Sequence, residues 1–258
     1  MTKPLAGKRI LVTRPAAQAR GWCERLCAAG AAVDCLPMLA IEAVGDNAGL
    51  QAIKSRILDF DQVDCAIFVS QNAVRHGCDW LDDYWPQLPL GPHCYAIGAA
   101  TARALAERGI HSDHSSGSMD SETLLARPEL QQMQDKRVLI FRGCGGRTLI
   151  GDTLRERGAR VDYCELYRRT LPASAAEQLA AYRQSPDAIA VHSGETLANL
   201  SHCIDTGGRP QLKLVPLICP SERVAAQARA LGFARPLAAG NAGDDAMLAA
   251  LENALLAA

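Results

Sequence analysis

Three kinds of segment occur twice in this chain, in each case well over a hundred residues apart. Each kind contains a short apolar run followed by a helical pattern. The matching pairs are 7–42 with 135–170, 63–77 with 186–200, and 92–110 with 215–233. A period of this length is too long for a solenoid repeat and indicates a duplicated half.

The apolar runs are short and continuous, which is the pattern of strands covered on both faces. They are ILVT, AIFV, CYAI, VLIF, AIAV and PLIC. A helical pattern follows each run, and such alternation favours parallel sheets with right-handed crossovers. Because the units are duplicated, the sequence predicts an α/β fold with two parallel sheets flanked by helices. The polar loop that begins at His111 is predicted to end in a helix capped by Asp120 or Ser121.

Two extended segments, 36–47 and 163–174, lie at matching points of the two halves. We expect parts of them, 37–46 and 166–172, to pair as a two-stranded β-ladder that links two lobes. A hinge of two strands would let the lobes close around a ligand. The predicted lobes are 1–36 plus 173–258 for lobe one, which is discontinuous, and 47–165 for lobe two.

Charge and hydrophobicity limit the possible partners. The 258 residues carry a formal net charge of -1, and 48% of them are hydrophobic, whereas nucleic-acid-binding proteins show a basic excess or stripe. No apolar run approaches the ~20 residues that span a bilayer, and the first residues contain no signal-peptide core. We therefore expect a cytoplasmic protein that binds neither nucleic acid nor membranes. No apolar stripe is left over, so a monomer is expected.

The ten cysteines are scattered, without a CxxC pair or a neighbouring His pattern. Most lie in apolar stretches and are predicted to be reduced core thiols. Cys23 and Cys27 share a helix face, but no further metal ligands accompany them. The glycine cluster FRGCGGR matches neither GxGxxG nor a P-loop, and VHSGE is not the GxSxG of a serine hydrolase. The sequence thus shows no metal-ligand spacing and no nucleotide-binding motif.

Ser, Thr, Gly and Arg cluster where the predicted strands end. Ligands of parallel α/β sheets bind beyond the carboxyl ends of the strands, beside helix N-termini, so these corners would suit a ligand with several carboxylates or phosphates. The candidate binding residues are Arg14, Ser70, Thr101, Arg142, Gly146, Arg147, Ser193 and Ser221. The serines could equally be N-caps alone, and the arginines could be structural or merely exposed. The sequence leaves these alternatives open.

Tyr167 lies in CELYRRT, on the second predicted linker strand. If Leu166 packs away from the space between the lobes, Tyr167 faces it. A neutral phenol can donate a proton at neutral pH, so Tyr167 is a candidate catalytic acid. The alternative is an aromatic side chain used only for packing.

Motifs along the chain resemble those of the uroporphyrinogen-III synthase family. In order, they are ILVTRP, FVSQNAV, YAIGAATARAL, SETLL, FRGCGGR, RGARVDYCELYRR, VHSGET and DDAMLAAL. The resemblance covers nearly the whole chain. It implies two α/β lobes joined by a two-stranded ladder, in agreement with the architecture inferred from the repeat.

The resemblance implies a cyclising lyase of haem biosynthesis that uses no metal or organic cofactor. Its substrate would be hydroxymethylbilane, a linear tetrapyrrole with eight carboxylates, which closes to uroporphyrinogen III with inversion of ring D and loss of water. The family's functional tyrosine falls on Tyr167, and its Ser/Thr corner positions fall on Ser70, Thr101 and Ser193. The last corner, Cys219-Pro220-Ser221-Glu222, departs from the family's Gly–Thr pattern.

A second hypothesis is a non-catalytic two-lobe protein that binds a polyanionic ligand or regulates through it. Such a protein would share the corners and the hinge. Catalytic cyclisation is the property that separates it from the enzyme.

Overall fold

The computed structural model describes residues 3–113 and 121–256. The chain divides into two compact units: Met1–Ala40 with Thr170–Ala258, and Ile41–Arg169. The first unit is therefore discontinuous, and the second is a continuous insertion. Both division points fall inside the segments 37–46 and 166–172.

Most strands agree within one or two residues with the apolar runs named above. Their bounds are β1 Arg9–Val12, β2 Ala32–Cys35, β3 Ala40–Ala43, β4 Cys65–Phe68, β5 His93–Ala96, β6 Arg137–Gly143, β7 Arg160–Thr170, β8 Ala188–Ala190, β9 Leu217–Cys219 and β10 Pro236–Ala238. β10 is not among the predicted runs; it lies at the edge of its sheet, and two of its three residues are exposed, so it lacks the pattern of a strand covered on both faces.

The helices mostly follow the strands, as the alternation predicts. Their bounds are α1 Ala16–Ala28, α2 Asn47–Leu58, α3 Gln71–Tyr84, α4 Ala99–Glu107, α5 Ser121–Leu125, α6 Leu149–Glu156, α7 Ala175–Ala181, α8 Gly194–Thr206, α9 Glu222–Ala230 and α10 Asp244–Leu256. Of the two predicted caps of α5, Asp120 lies outside the described residues, and Ser121 is the first residue of the helix.

The first unit contains a sheet of order β10-β9-β8-β1-β2, and all neighbouring strands in it are parallel. Its strand β1, which lies between β8 and β2, is buried on both faces, because successive side chains of a strand point in opposite directions. Leu11 packs among the apolar residues of α7, α8 and α9. Ile10 and Val12 pack on the opposite face with those of α1 and α10. This explains why the run is continuously apolar.

The second unit contains a sheet of order β3-β7-β6-β4-β5. The strands β7, β6, β4 and β5 are parallel to their neighbours. Ala66 and Phe68 pack with α2, α3 and α4, whereas Ile67 packs with α5 and α6. At the edge, β3 lies beside β7, whose 11 residues run on into the segment 166–172.

The two sheets share one strand order, which confirms the duplicated α/β architecture. In the first unit β2-β1-β8-β9 lie side by side, and in the second β7-β6-β4-β5 do so. These are the strands that the repeat pairs with one another, β1 with β6, β2 with β7, β8 with β4, and β9 with β5. The chain order differs because the second unit is inserted after the first two strands of the first unit.

Candidate active site

Each sheet has a topological switch point between two neighbouring parallel strands. In the second unit, β6 continues through α6 to β7 on one side, and β4 continues through α3 to β5 on the other. In the first unit, β1 and β8 diverge in the same way. A crevice opens beyond the carboxyl ends of strands at such a point, and ligands of open α/β sheets bind there. The corners that follow β6, β4, β1 and β8 are therefore the expected binding surfaces.

Tyr167 and Ser70 are in direct contact at the switch point of the second unit. The phenol oxygen of Tyr167 lies 2.9 Å from Oγ of Ser70. Tyr167 is on β7 and Ser70 follows β4, so the tyrosine side chain reaches across the end of the intervening strand β6. Only 1% of Tyr167 is exposed. The hydroxyl is thus held at one point by a hydrogen bond, while the ring is fixed by packing.

Gly143, the last residue of β6, makes this reach possible. A Cβ atom at this position would lie 2.5 Å from a carbon of the Tyr167 ring, much closer than packed atoms come. The ladder between β6 and β7 shifts register between Arg142 and Gly143, and the amide of Cys144 then donates to the carbonyl of Tyr167 at 2.8 Å. The glycine loop, residues 143–147, is therefore joined to Tyr167 both by close packing and by a backbone hydrogen bond.

Ser70 is both a helix cap and a partner of Tyr167. Its Oγ accepts a hydrogen bond from the amide of Ala73 at 3.1 Å, which caps α3. The same oxygen meets the Tyr167 hydroxyl, and either hydroxyl can be the donor there. The capping role is thus present, and it does not exclude a role at the site.

His76, six residues after the cap, packs beside the tyrosine. Its ring centroid lies 5.7 Å from that of Tyr167, at an interplanar angle of 29°. Burial, with a smaller contribution from Arg75, lowers the pKa of His76. Its Nε2 atom is buried and has no hydrogen-bond partner among the described residues. A neutral imidazole therefore borders the Tyr167–Ser70 pair.

Arg142 supports the glycine loop from below. Its side chain is nearly fully buried, with the residue only 4% exposed. Nε donates to the carbonyl of Gly143 at 3.1 Å, and Nη1 donates to the carbonyl of Arg147 at 3.2 Å. The guanidinium lies 4.6 Å from the ring centroid of Tyr163, a cation–π contact. These bonds hold the loop closed and leave Arg142 little freedom to reach a ligand.

Gly146 and Arg147 lie on top of this support. A Cβ atom at position 146 would lie 2.6 Å from Nη2 of Arg142, so a glycine lets the loop lie against the buried guanidinium. Arg147 is exposed, and its side chain forms no ion pair with any described residue. The structure therefore separates the two arginines: Arg142 shapes the loop, and Arg147 presents a charge at its surface.

Thr101 lies on the inner side of α4, with Ala102 and Leu105. Only 3% of it is exposed, and its amide donates to the carbonyl of Gly98 at 3.0 Å. Gly98 is the N-cap, and no described side chain caps the helix. This corner therefore offers a ligand its backbone more readily than the threonine hydroxyl.

Arg14 follows β1 at the switch point of the first unit. Its Nη1 atom donates to Oδ1 of Asp244 at 2.8 Å, and the two side chains are 20% and 28% exposed. The hydroxyl of Thr13, beside it, donates to the carbonyl of Ala190 at 2.8 Å and ties the ends of β1 and β8 together. Asp244, the first residue of α10, is thus the partner of the candidate binding arginine.

His192 lies between β8 and the candidate Ser193. Both of its ring nitrogens are buried without a hydrogen-bond partner among the described residues. Its ring meets that of Trp22 edge to face, with centroids 5.7 Å apart. Burial, with a smaller contribution from Arg14, lowers the pKa of His192 to about 4. The ring is therefore neutral at physiological pH.

Ser193 and Ser221 are both N-caps, but they differ in what they bind. Oγ of Ser193 accepts from the amide of Thr196 at 3.1 Å and lies 2.9 Å from the Thr196 hydroxyl. Ser221 makes no capping bond to any amide of the described chain. Glu222 turns along its helix and accepts from Arg229 at 2.6 Å. This corner departs from the family's Gly–Thr pattern. Within the described chain its serine hydroxyl is thus not used for capping, and its glutamate is already paired with Arg229.

Within residues 3–113 and 121–256, no three His, Cys, Asp or Glu side chains come together as metal ligands would. None of the helices in this part of the chain is both long and apolar enough to cross a membrane.

A family profile described as "Uroporphyrinogen-III synthase HemD" matches residues 21–249. The chain belongs to the uroporphyrinogen-III synthase family. Its function is uroporphyrinogen-III synthesis in porphyrin and haem biosynthesis. The family that the ordered motifs suggested is thereby confirmed.

Members of the uroporphyrinogen-III synthase family from enteric bacteria align along nearly the full chain. The enzyme of Escherichia coli is 36% identical over 250 residues, covering 94% of this chain and 99% of the relative. The enzyme of Salmonella typhimurium is 34% identical over 247 residues, with the same coverage of 94% and 99%.

Solved structures of the family share the fold. A mutant uroporphyrinogen III synthase from Thermus thermophilus superposes with a TM-score of 0.65 at 20% identity, covering 98% of this chain and 100% of that structure. The enzyme of Helicobacter pylori superposes with a TM-score of 0.58 at 15% identity, covering 94% and 97%. At such identities the likeness supports the fold alone.

Three residues beside the candidate positions are not among the predicted site residues. They are His76, His192 and Asp244. His192 adjoins Ser193, yet nothing in the sequence showed that Trp22 would cover its ring. Asp244 lies 230 residues from Arg14, so only the packing of α10 against the sheet brings the two together.

Proposed function

We propose that this chain closes hydroxymethylbilane to uroporphyrinogen III, with inversion of ring D and release of one water, and so acts as a cyclising hydro-lyase. Family membership supports the product. The contact of Tyr167 with Ser70, beside the glycine loop at a switch point, is the observation that supports the chemistry. A non-catalytic polyanion-binding role would leave this hydrogen-bonded phenol without a task.

The first chemical requirement is to release the hydroxyl group of the substrate. A pyrrole nitrogen pushes it out and leaves an electrophilic azafulvene, and a proton delivered to the oxygen lets it leave as water. Tyr167 is the proposed donor, because its hydroxyl lies at the switch point and is held there by the hydrogen bond to Ser70. Ser70 orients that hydroxyl. General acid catalysis of this kind contributes roughly 10²–10⁴-fold to a rate.

The second requirement is geometric. The azafulvene must be attacked by the substituted α-carbon of ring D, which gives a spiro intermediate that fragments and recloses with the ring reversed. Attack by the free α-carbon, the uncatalysed course, gives the symmetric isomer I. Holding a flexible tetrapyrrole in one arrangement therefore decides the product, and many loops can share this work.

The enzyme would bind the substrate through its carboxylate arms. We assign direct contacts to Arg147, Ser193 and Ser221, because Arg147 is exposed and unpaired among the described residues and the two serines lie at helix N-termini. Arg14 would also bind a carboxylate arm of the substrate while it remains paired with Asp244. Arg142, Gly146 and Thr101 would act mainly by shaping the corners. Charged hydrogen bonds to carboxylates are the stronger kind.

We further propose that the enzyme works without a metal or organic cofactor, in the cytoplasm and as a monomer. The chemistry above needs only a proton donor and an oriented substrate. The linkers 37–46 and 166–172 are proposed as the hinge for substrate entry.

The deciding experiment supplies the purified protein with enzymatically generated hydroxymethylbilane in the dark under reducing conditions. The uroporphyrin isomers are separated after oxidation. A dominant isomer III establishes the reaction. Isomer I, formed at the rate of a protein-free blank, would instead leave a binding or regulatory role.

A further inference from the structure

Two cysteines of the first unit lie with their sulfur atoms in contact. Sγ of Cys23 is 3.0 Å from Sγ of Cys35, only about 1 Å more than the ~2.05 Å of a disulfide bond. Cys23 is on α1, and Cys35 is the last residue of β2, at the edge of the sheet. The sequence suggested core thiols here, but Cys23 is half-buried and Cys35 is exposed.

We propose that Cys23 and Cys35 form a site of reversible thiol oxidation, which takes a low-molecular-weight disulfide of the glutathione class as its oxidant. Two observations carry this beyond a lone cysteine: the two sulfurs already touch, and Cys35 is exposed. Cys27, on the same helix as Cys23, provides an internal comparison. Five of the ten cysteines are buried and lack the solvent access of Cys35.

The exchange is balanced in two steps. The thiolate of Cys35 attacks one sulfur of the oxidant, forms a mixed disulfide and releases one thiolate. Cys23 then loses its proton to water and attacks the Cys35 sulfur, which forms the Cys23–Cys35 bond and releases the second thiolate. Two protein thiols are oxidised, and one disulfide is reduced to two thiols.

The surroundings fit this order of attack. Burial, and then the hydrogen bond and charge of Cys35, raise the pKa of Cys23 to about 12, while Arg14 opposes them. Cys23 is therefore the poorer first nucleophile. Once Cys35 is in the mixed disulfide, its two contributions to that pKa are lost and the field of Arg14 persists. Proximity then favours closure by Cys23.

The bond would join α1 to β2 at a functional corner. Cys35 is paired in register with Val12, two residues before Arg14. Just beyond it, the amides of Leu36 and Met38 donate to the carbonyls of Val12 and Thr13 at 2.9 and 3.0 Å. Oxidation would thus cross-link α1 to the segment in which the chain leaves the first sheet.

The test equilibrates the full-length protein in glutathione buffers of graded redox ratio, quenches it with acid, alkylates free thiols and maps the bonds by mass spectrometry. Trypsin leaves Cys27 and Cys35 on one peptide, 26–54, so a second cleavage before Asp34 is needed to separate them. We expect a Cys23–Cys35 link that grows with oxidised glutathione and disappears when excess reduced glutathione is restored. The other eight cysteines should stay alkylated.

Matched variants sharpen the result. Cys27→Ser, one turn along the same helix and exposed, should leave the link intact. Cys35→Ser should abolish it, and Cys23→Ser should trap the mixed disulfide on Cys35. The proposal is wrong if no intramolecular bond forms at any ratio in the wild-type protein, if Cys27 takes the place of either partner, or if the bond joins two copies of the chain.

Discussion

The hydroxyl of Tyr167 and the hydroxyl of Ser70 lie 2.9 Å apart, although 97 residues separate them. The serine hydroxyl is fixed by capping α3, and the tyrosine ring is fixed by passing over Gly143. Neither group can turn away without breaking one of these constraints. The proton donor is thus preorganised, which removes part of the entropic cost of orienting it against a flexible substrate.

Tyr167→Phe is expected to slow cyclisation by about a hundredfold or more, the usual effect of losing a general acid. The ring packing remains, so product affinity and the urea midpoint should change little. Single-turnover rates, with the ratio of isomers III and I, provide the measurement. An unchanged rate would confine Tyr167 to a packing role.

The three serine caps should respond differently to alanine. Ser70→Ala and Ser193→Ala each remove a hydrogen bond to a helix amide and should cost about 1 kcal/mol of unfolding free energy. Ser221 makes no capping bond in the described chain, so Ser221→Ala should stay within about 0.5 kcal/mol of wild type. Urea denaturation measures all three. Equal losses at the three positions would contradict the assigned bonds.

Gly143→Ala should destabilise the second unit by roughly 1–3 kcal/mol and slow catalysis, because the new methyl group displaces the Tyr167 ring. Gly21→Ala is the matched control. It lies within α1 with nothing near its missing Cβ, so it should stabilise the protein by about 0.5–1 kcal/mol. If both variants behave alike in urea denaturation, the close approach at Gly143 is not what constrains that position.

Arg147→Ala is expected to weaken product binding several-fold, with a reduced dependence on salt, and to leave stability unchanged. Arg142→Ala should lower both the affinity for product and the stability of the fold, because its hydrogen bonds to the carbonyls of Gly143 and Arg147 are lost. Arg160→Ala is the control, being exposed at the amino end of β7. Titration of uroporphyrinogen III at two ionic strengths separates the three. Loss of affinity in the control as well would indicate only a general effect of charge.

The buried imidazole of His192 should make stability depend on pH. Its pKa is lowered to about 4 in the folded chain, against about 6.5 when unfolded. Between these values the unfolded chain binds a proton that the folded chain does not, so stability falls as pH falls and is fully retained above about pH 6.5. His76, also lowered, adds to this trend. The loss due to His192 should be roughly 3 kcal/mol at most.

Denaturation between pH 4 and pH 7 tests this with two variants. His192→Phe keeps a ring against Trp22 and should flatten the pH dependence. His202→Gln, at an exposed position of α8, should leave it unchanged. A wild-type slope that persists in His192→Phe would assign the titration to another group.

The repeat allowed the sequence to predict much of the fold. Continuous apolar runs such as AIFV and VLIF show burial on both faces, because each side chain of a covered strand must be apolar. The matched order of the runs then fixes which strands are equivalent. Burial patterns and the order of repeated segments are local or periodic properties, and they can therefore be read from the sequence alone.

The corners could be located but not resolved from the sequence. It placed Arg142 and Arg147 in one glycine loop, yet could not show that the first is buried beneath the loop and the second exposed above it. Burial depends on what packs over a side chain, here Gly146 and the ring of Tyr163. Both contacts arise from the way β6, β7 and the loop close.

The sequence by itself thus determined the α/β class, the duplication and the family, since these rest on periodicity and on the order of motifs. Only the tertiary structure decided the pairs, namely Tyr167 with Ser70, Arg14 with Asp244, and Cys23 with Cys35. Parallel strands bring together segments that are far apart in the chain, and a hydrogen bond or sulfur contact depends on tenths of an ångström. That precision is set by packing, which local sequence does not encode.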